Sequence, residues 1–217
     1  MTGSTSARYL GLAAILLAPG SLAAQPVLEQ FTYDQLRPSG LQADVGLLWS
    51  NDLENTMTGG LRVDFGRFAP RVRVLAGLSY YRSDFNAAAT ARFEQRVRQI
   101  VIDPSGDDTI RVGRVSWADV AADLDLQYAL AETPAGALFA GLGVGVHFRN
   151  GSGSAISGTF VEDALDDVAA GLNVMLGGEL RLTPELRATA EGRGVWSSGL
   201  STGSLRLGLM YRFAGAR

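Results

Sequence analysis

His147 supplies the only imidazole in the chain, the usual general base near neutral pH. If the turn before its segment centres near Thr133, Asp119 lies opposite it, a base beside the carboxylate that would orient it. Ser79 or Ser116 is then a conceivable nucleophile. The plainer reading sets His147 in a hydrogen-bond network, and no catalysis is expected. With no Cys, thiolate and disulfide chemistry are closed, and neither a metal nor a cofactor is expected. All 19 basic side chains are Arg, against 22 acidic ones, for a net charge of −3. Such near-balance implies paired networks, and the planar guanidinium fork suits carboxylates. The mild acidity, with no basic run, argues against a nucleic-acid partner.

The elements that position these groups show a period of two. The chain has 217 residues, 47% of them hydrophobic, which is one-domain length with enough apolar side chains for a sizeable core. Its 27 glycines are aperiodic, so collagen-like and disordered classes fail. Alternation predicts eight strands: Gly40–Ser50, Met57–Phe68, Arg71–Arg82, Trp117–Ala129, Ala137–Arg149, Val168–Leu182, Leu186–Ser197 and Ser204–Phe213. Ten residues at about 3.3 Å each, tilted about 40°, rise roughly 25 Å, the height of a bilayer's apolar band. One parity of each segment is aliphatic. The other carries Asp44, Arg62, Asp64, Arg71, Arg73, Asp119, Asp123, Asp125 and His147 in the first five. In the last three it carries Glu179, Arg181, Arg187, Glu191, Arg193, Arg206 and Arg212.

Connections alternate in length. Ala69-Pro70, Glu132-Thr133-Pro134-Ala135-Gly136 and Thr183-Pro184-Glu185 are short, whereas Asn51–Thr56, Ser83–Ser116, Asn150–Asp167 and Ser198–Gly203 are longer. Tight turns on one side and long loops on the other fit an outer-membrane barrel with both termini in the periplasm. A soluble barrel, such as a lipocalin, turns its apolar face inward; a membrane barrel reverses this. Aromatic residues of the apolar parity mark the choice. Trp49, Tyr80, Phe148 and Trp196 fall beside the long loops, and Phe65, Tyr128, Tyr211 and Phe213 beside the short turns. Two such girdles are what a bilayer selects. Trp117 breaks the parity of its strand and marks a bulge or a lumen residue. The fold expected is therefore all-β, an eight-stranded antiparallel up-and-down transmembrane β-barrel.

Before the strands, Arg8 precedes an apolar stretch from Tyr9 to Ala18, broken by Pro19-Gly20 and followed by Ser21, Ala23 and Ala24. This is the pattern of a cleavable secretory signal over residues 1–24, too short to span a core of about 30 Å. Residues 25–39 then form a short periplasmic segment, 40–213 the barrel, and 214–217 a tail.

The run Arg206-Leu207-Gly208-Leu209-Met210-Tyr211-Arg212-Phe213 resembles the C-terminal assembly signature of outer-membrane barrel proteins, a polar residue, then Gly, then two aromatics. The chain as a whole resembles the small eight-stranded barrels of the OmpX and OmpA-barrel kind. That resemblance implies insertion by the outer-membrane assembly machinery, periplasmic chaperones on the way, and outer-membrane lipids around a monomer. In that family the Phe usually ends the chain, whereas here Ala214-Gly215-Ala216-Arg217 follows.

A lumen of eight strands is about wide enough for side chains alone, so a filled core is expected, with a narrow porin-like solute channel as the alternative. Asp64 is expected across from Arg73, and Gly141, Gly143, Gly145 and Gly177 make room for Arg side chains. A lipid-modifying barrel enzyme is the third reading. Nothing here matches the His/Ser spacing of the lipid A deacylase barrels, and His147 shares the lumen parity. Within Ser83–Ser116, Arg92–Ile102 and Thr109–Ser116 read as a projecting hairpin. A helix over Ala87–Ile102 is the rival, and two further spanning strands, ten in all, a third possibility. Arg92, Arg96, Arg98, Arg111 and Arg114 would then face lipopolysaccharide phosphates or a partner, unless local Asp side chains pair with them.

Overall fold

A computed structural model describes residues 36–100, 113–153 and 165–213, with the backbone alone at 97, 99 and 100. The expected leader 1–24, most of the segment 25–39, the tail 214–217 and Arg111 lie outside those residues.

Eight strands close into a ring. They are β1 (Gly40–Ser50), β2 (Thr56–Ala69), β3 (Val72–Asp84), β4 (Val115–Thr133), β5 (Gly136–Gly153), β6 (Asp167–Arg181), β7 (Leu186–Ser197) and β8 (Leu200–Arg212). Each pairs antiparallel with the next, and β8 returns to β1, with Gly40 opposite Arg212 and Ser50 opposite Thr202. Closure leaves no unpaired strand edge, the condition for sheet backbone to sit in hydrocarbon.

The alternating sequence decides which face goes where. Leu47 is 63% exposed on the outside, and Leu142 and Leu207 are each 61% exposed. Asp64 and Asn173, at 0%, are sealed inside. Water would penalise an aliphatic exterior of this extent by roughly 25 cal/mol per Å², whereas lipid tails would not. The sign is that of a transmembrane barrel. Among the described residues no helix is long and apolar enough to cross a membrane.

At one end the connections are tight. Pro70-Arg71 joins β2 to β3, Pro134-Ala135 joins β4 to β5, and four residues join β6 to β7. Arg71 holds φ at 69°, the left-handed region that disfavours a side chain. At the other end β7 and β8 meet through Ser198-Gly199 alone, with Gly199 at φ 73°. The expected loop Ser198–Gly203 is thus shorter than its spacing suggested, because Leu200–Gly203 already pairs with β7.

The long insert contains a helix, α1 (Ala87–Ile100), in place of the expected hairpin. Its opening run of alanines favours a helix, and Asn86 caps it by accepting the Ala89 N–H at 2.9 Å. The eight strands already close the ring, and the helix takes the first of the two extra segments, which removes the ten-strand reading. Phe85 anchors the helix at the outer mouth, meeting Phe93 edge-on at 6.2 Å and Trp117 at 5.0 Å. Trp117 donates its indole N–H to the Leu165 carbonyl at 3.0 Å, and no register shift interrupts β4 there. It is a mouth-lining residue rather than a bulge.

Candidate functional site: the lumen and its two mouths

The polar parity of all eight strands converges on the barrel axis. Near the outer mouth, Asp119 on β4 is the hub. It accepts a hydrogen bond from the Tyr81 hydroxyl at 3.0 Å and from Arg149 Nε at 3.3 Å, and His147 Nδ1 lies 3.2 Å from both its oxygens. Arg149 also donates to the Ser198 carbonyl at 2.9 Å and to the Ser197 hydroxyl, with its guanidinium 5.4 Å from the Trp117 ring centroid. The register differs from the one expected. Asp119 pairs with Arg149, and His147 with Ala121, because the turn centres on Pro134-Ala135 and a bulge follows at Ala129–Ala131. The slip is two residues, so parity survives and the imidazole reaches Asp119 on the diagonal.

Across the middle run salt bridges between distant strands. Arg62 on β2 donates two bonds of 2.7 Å to Glu191 on β7, three strands away around the ring. Arg193 on β7 donates to both oxygens of Asp125 on β4, at 2.8 and 3.1 Å, and lies 3.3 Å from Asp123. Asp44 is shared by Arg62 at 3.6 Å and Arg206 at 3.4 Å. Asn173 donates to Asp123 at 2.8 Å, and Gln127 to Glu191 at 3.3 Å. Gly143 sits beside this layer because a Cβ there would run into the Asp125 carboxylate.

Toward the tight turns the lumen becomes partly apolar. Leu75, Met175, Met210 and Phe139 are buried inside it, with Arg73 5.8 Å over the Phe139 ring. Arg73 bridges Glu179 at 2.9 Å and Gln127 at 2.6 Å, while Arg187 also pairs with Glu179. Asp64 takes Arg212 at 3.3 Å, Arg73 at 3.5 Å and the Gly66 N–H at 2.7 Å. Here too the expected register slips: Asp64 pairs with Leu75, since β2 is irregular between Asp64 and Ala69, and Arg73 reaches it obliquely.

Two arginines expected inside stand elsewhere. Arg181 and Arg71 are exposed at the tight-turn rim, where a strand end lets a long side chain reach water. Of the aromatics, Trp49, Tyr80, Phe148 and Trp196 face outward near the long connections, and Tyr128, Tyr211 and Phe213 near the tight turns. Phe65 is half-buried, next to the irregular stretch of β2. Ser116 donates to Asp84 at 2.7 Å and does not meet His147, whose buried Nε2 has no partner among the described residues. Around the outer mouth Arg92 pairs with Asp52 and Arg114 lies 3.4 Å from Asp84, while Arg96 and Arg98 are exposed on α1.

Sequence reasoning missed Tyr81, Arg149, Leu75, Phe139 and Met210 as lumen residues. Arg149 could have been found, since it shares the parity of His147 two positions earlier. The other four share that lumen parity too, Leu75 and Tyr81 with Arg73, Phe139 with His147 and Met210 with Arg206, but an inventory of charged groups passed over them because they are apolar or aromatic.

Comparison with solved structures places the fold. Neisserial surface protein A matches with a TM-score of 0.55 at 12% identity, over 80% of this chain and 96% of that one. The attachment invasion locus protein Ail of Yersinia pestis matches at 0.47 and 13% identity, over 81% of this chain and 99% of that one. The N-terminal β-barrel domain of OprF from Pseudomonas aeruginosa matches at 0.47 and 14% identity, over 81% and 98%. No protein-family model matches the sequence, and no curated protein does. The fold is that of the small eight-stranded outer-membrane barrels.

Proposed function

We propose that this chain is exported and inserted as a monomeric barrel of the bacterial outer membrane, with a structural and surface-interaction role and no catalysis. The observation that carries the reading is the Arg62–Glu191 pair, two bonds of 2.7 Å thrown across the lumen. With Arg193–Asp125 and Arg73–Glu179 above and below it, charged side chains occupy the path a solute would take. A neutral or charged permeant would have to leave one of those ions buried and unpaired, a penalty of about 3–5 kcal/mol for each. Planar-bilayer recording of the purified protein tests this: no stepwise conductance is expected, and sustained steps would establish the narrow-channel reading instead.

The outer end supplies the interaction surface. Exposed Arg96 and Arg98 on α1 suit lipopolysaccharide phosphates, which a guanidinium fork binds through paired donors. Replacing both with Gln should weaken retention of the barrel on immobilised lipopolysaccharide severalfold while its heat-modifiable gel mobility stays unchanged; equal retention would remove α1 from the role. The stretch Arg206, Gly208, Tyr211 and Phe213 would serve as the assembly signal, with periplasmic chaperones and the outer-membrane assembly machinery as its readers. In β8 Gly208 packs where a Cβ would press on the Ala43 carbonyl and the Thr189 hydroxyl, so the same glycine also serves closure of β8 onto its neighbours.

A further inference from the structure

We propose that the tight-turn end of the barrel holds a blind anion site that takes a small soluble molecule bearing a phosphate group. A cavity of about 290 Å³ opens there, and six arginines line it: Arg67, Arg71, Arg73, Arg181, Arg187 and Arg212. Only two carboxylates share the lining, Glu132, taken by Arg67, and Glu179, taken by Arg73 and Arg187. Asp64, beneath, serves Arg73 and Arg212. Cationic charge therefore exceeds anionic charge in a recess whose floor includes Arg73, Gln127 and Phe139. A low-dielectric wall around like charges strengthens their pull on an anion.

Three further observations point the same way. Arg71 and Arg181 make no ion pair among the described residues, unlike every lumen arginine deeper in the barrel. The Nε atoms of Arg187 and Arg212 are buried and find no acceptor among the described residues, and an oxyanion in the cavity would supply one. Arg71 also keeps φ at 69°, at the turn position after Pro70 where Gly or Asn would be unstrained. A guanidinium held at that position against backbone preference argues for the charge rather than for the turn. A phosphate ester near neutral pH carries close to two negative charges, which matches this excess better than a single carboxylate does. The geometry stands apart from the surface role proposed above; only the compartment facing the cavity, the periplasm, is taken from it.

The test is a titration of the full chain in an uncharged maltoside detergent with inorganic phosphate and with glycerol phosphate, followed by phosphorus NMR line broadening. Saturable binding of both is expected, weakened at least tenfold in a variant carrying Arg71→Gly and Arg181→Gln. That variant removes two unpaired charges and relieves the turn, so its thermal midpoint should stay level or rise. Replacing the exposed Arg82 with Gln, at the opposite end of β3, should leave the titration unchanged. The titration is repeated in nanodiscs of phosphatidylglycerol: binding at the same strength assigns the site to a soluble ligand, whereas its loss there would assign the cavity to a lipid headgroup and overturn the proposal. So would the absence of saturation in detergent, or equal binding by the double variant.

Discussion

Arg62 shows what a single lumen residue does. Its guanidinium is buried against two carboxylates, so truncation to Ala would leave buried Glu191 without its bidentate partner, with only Gln127 at 3.3 Å and Arg193 at 3.7 Å beside it. Arg62→Ala should lower unfolding stability by about 3–5 kcal/mol, read as a fall in the urea midpoint of the lipid-inserted barrel. Arg62→Met combined with Glu191→Leu should recover most of that loss, since apolar replacement of a whole buried pair is often close to neutral. A single variant as stable as the parent would show that water already reaches the pair. Parity made the polar face legible in the sequence, down to Asp44, Asp125 and Arg193. It could not say which carboxylate each Arg meets, because those pairs join strands three apart, and bulges at Asp64–Ala69 and Ala129–Ala131 reset the local register.

Elements were legible where one pattern dominated and obscure where two competed. The eight spanning segments carry alternation over ten residues or more, a signal that survives bulges because each slip of two restores the face. The insert after β3 did not have that advantage. Its residues fit a hairpin with a polar turn, and the helix prevails through local terms, the alanine run and the Asn86 cap. Asn86→Ala should cost the helix about 1 kcal/mol, so amide exchange across α1 should quicken about fivefold while the strands keep their protection. Phe93→Ala, which removes the edge contact to Phe85, should act in the same direction. Unchanged exchange in both variants would mean that α1 is held by contacts other than these.

The whole molecule turns its polar side chains inward and its aliphatic ones outward, and that inversion governs every other conclusion. The ring has the extent of a lipid-spanning barrel because the apolar parity is continuous around all eight strands, with aromatic side chains at both rims. The three tryptophans report on it directly. Trp49 and Trp196 are about half exposed on the outer face, whereas Trp117 packs at the mouth against Phe85 and Arg149. In vesicles of brominated phospholipid, variants that keep one tryptophan each should show strong fluorescence quenching for Trp49 and Trp196 and little for Trp117. Quenching at Trp49 and Trp196 no stronger than at Trp117, with the protein monodisperse in buffer lacking detergent, would contradict the account.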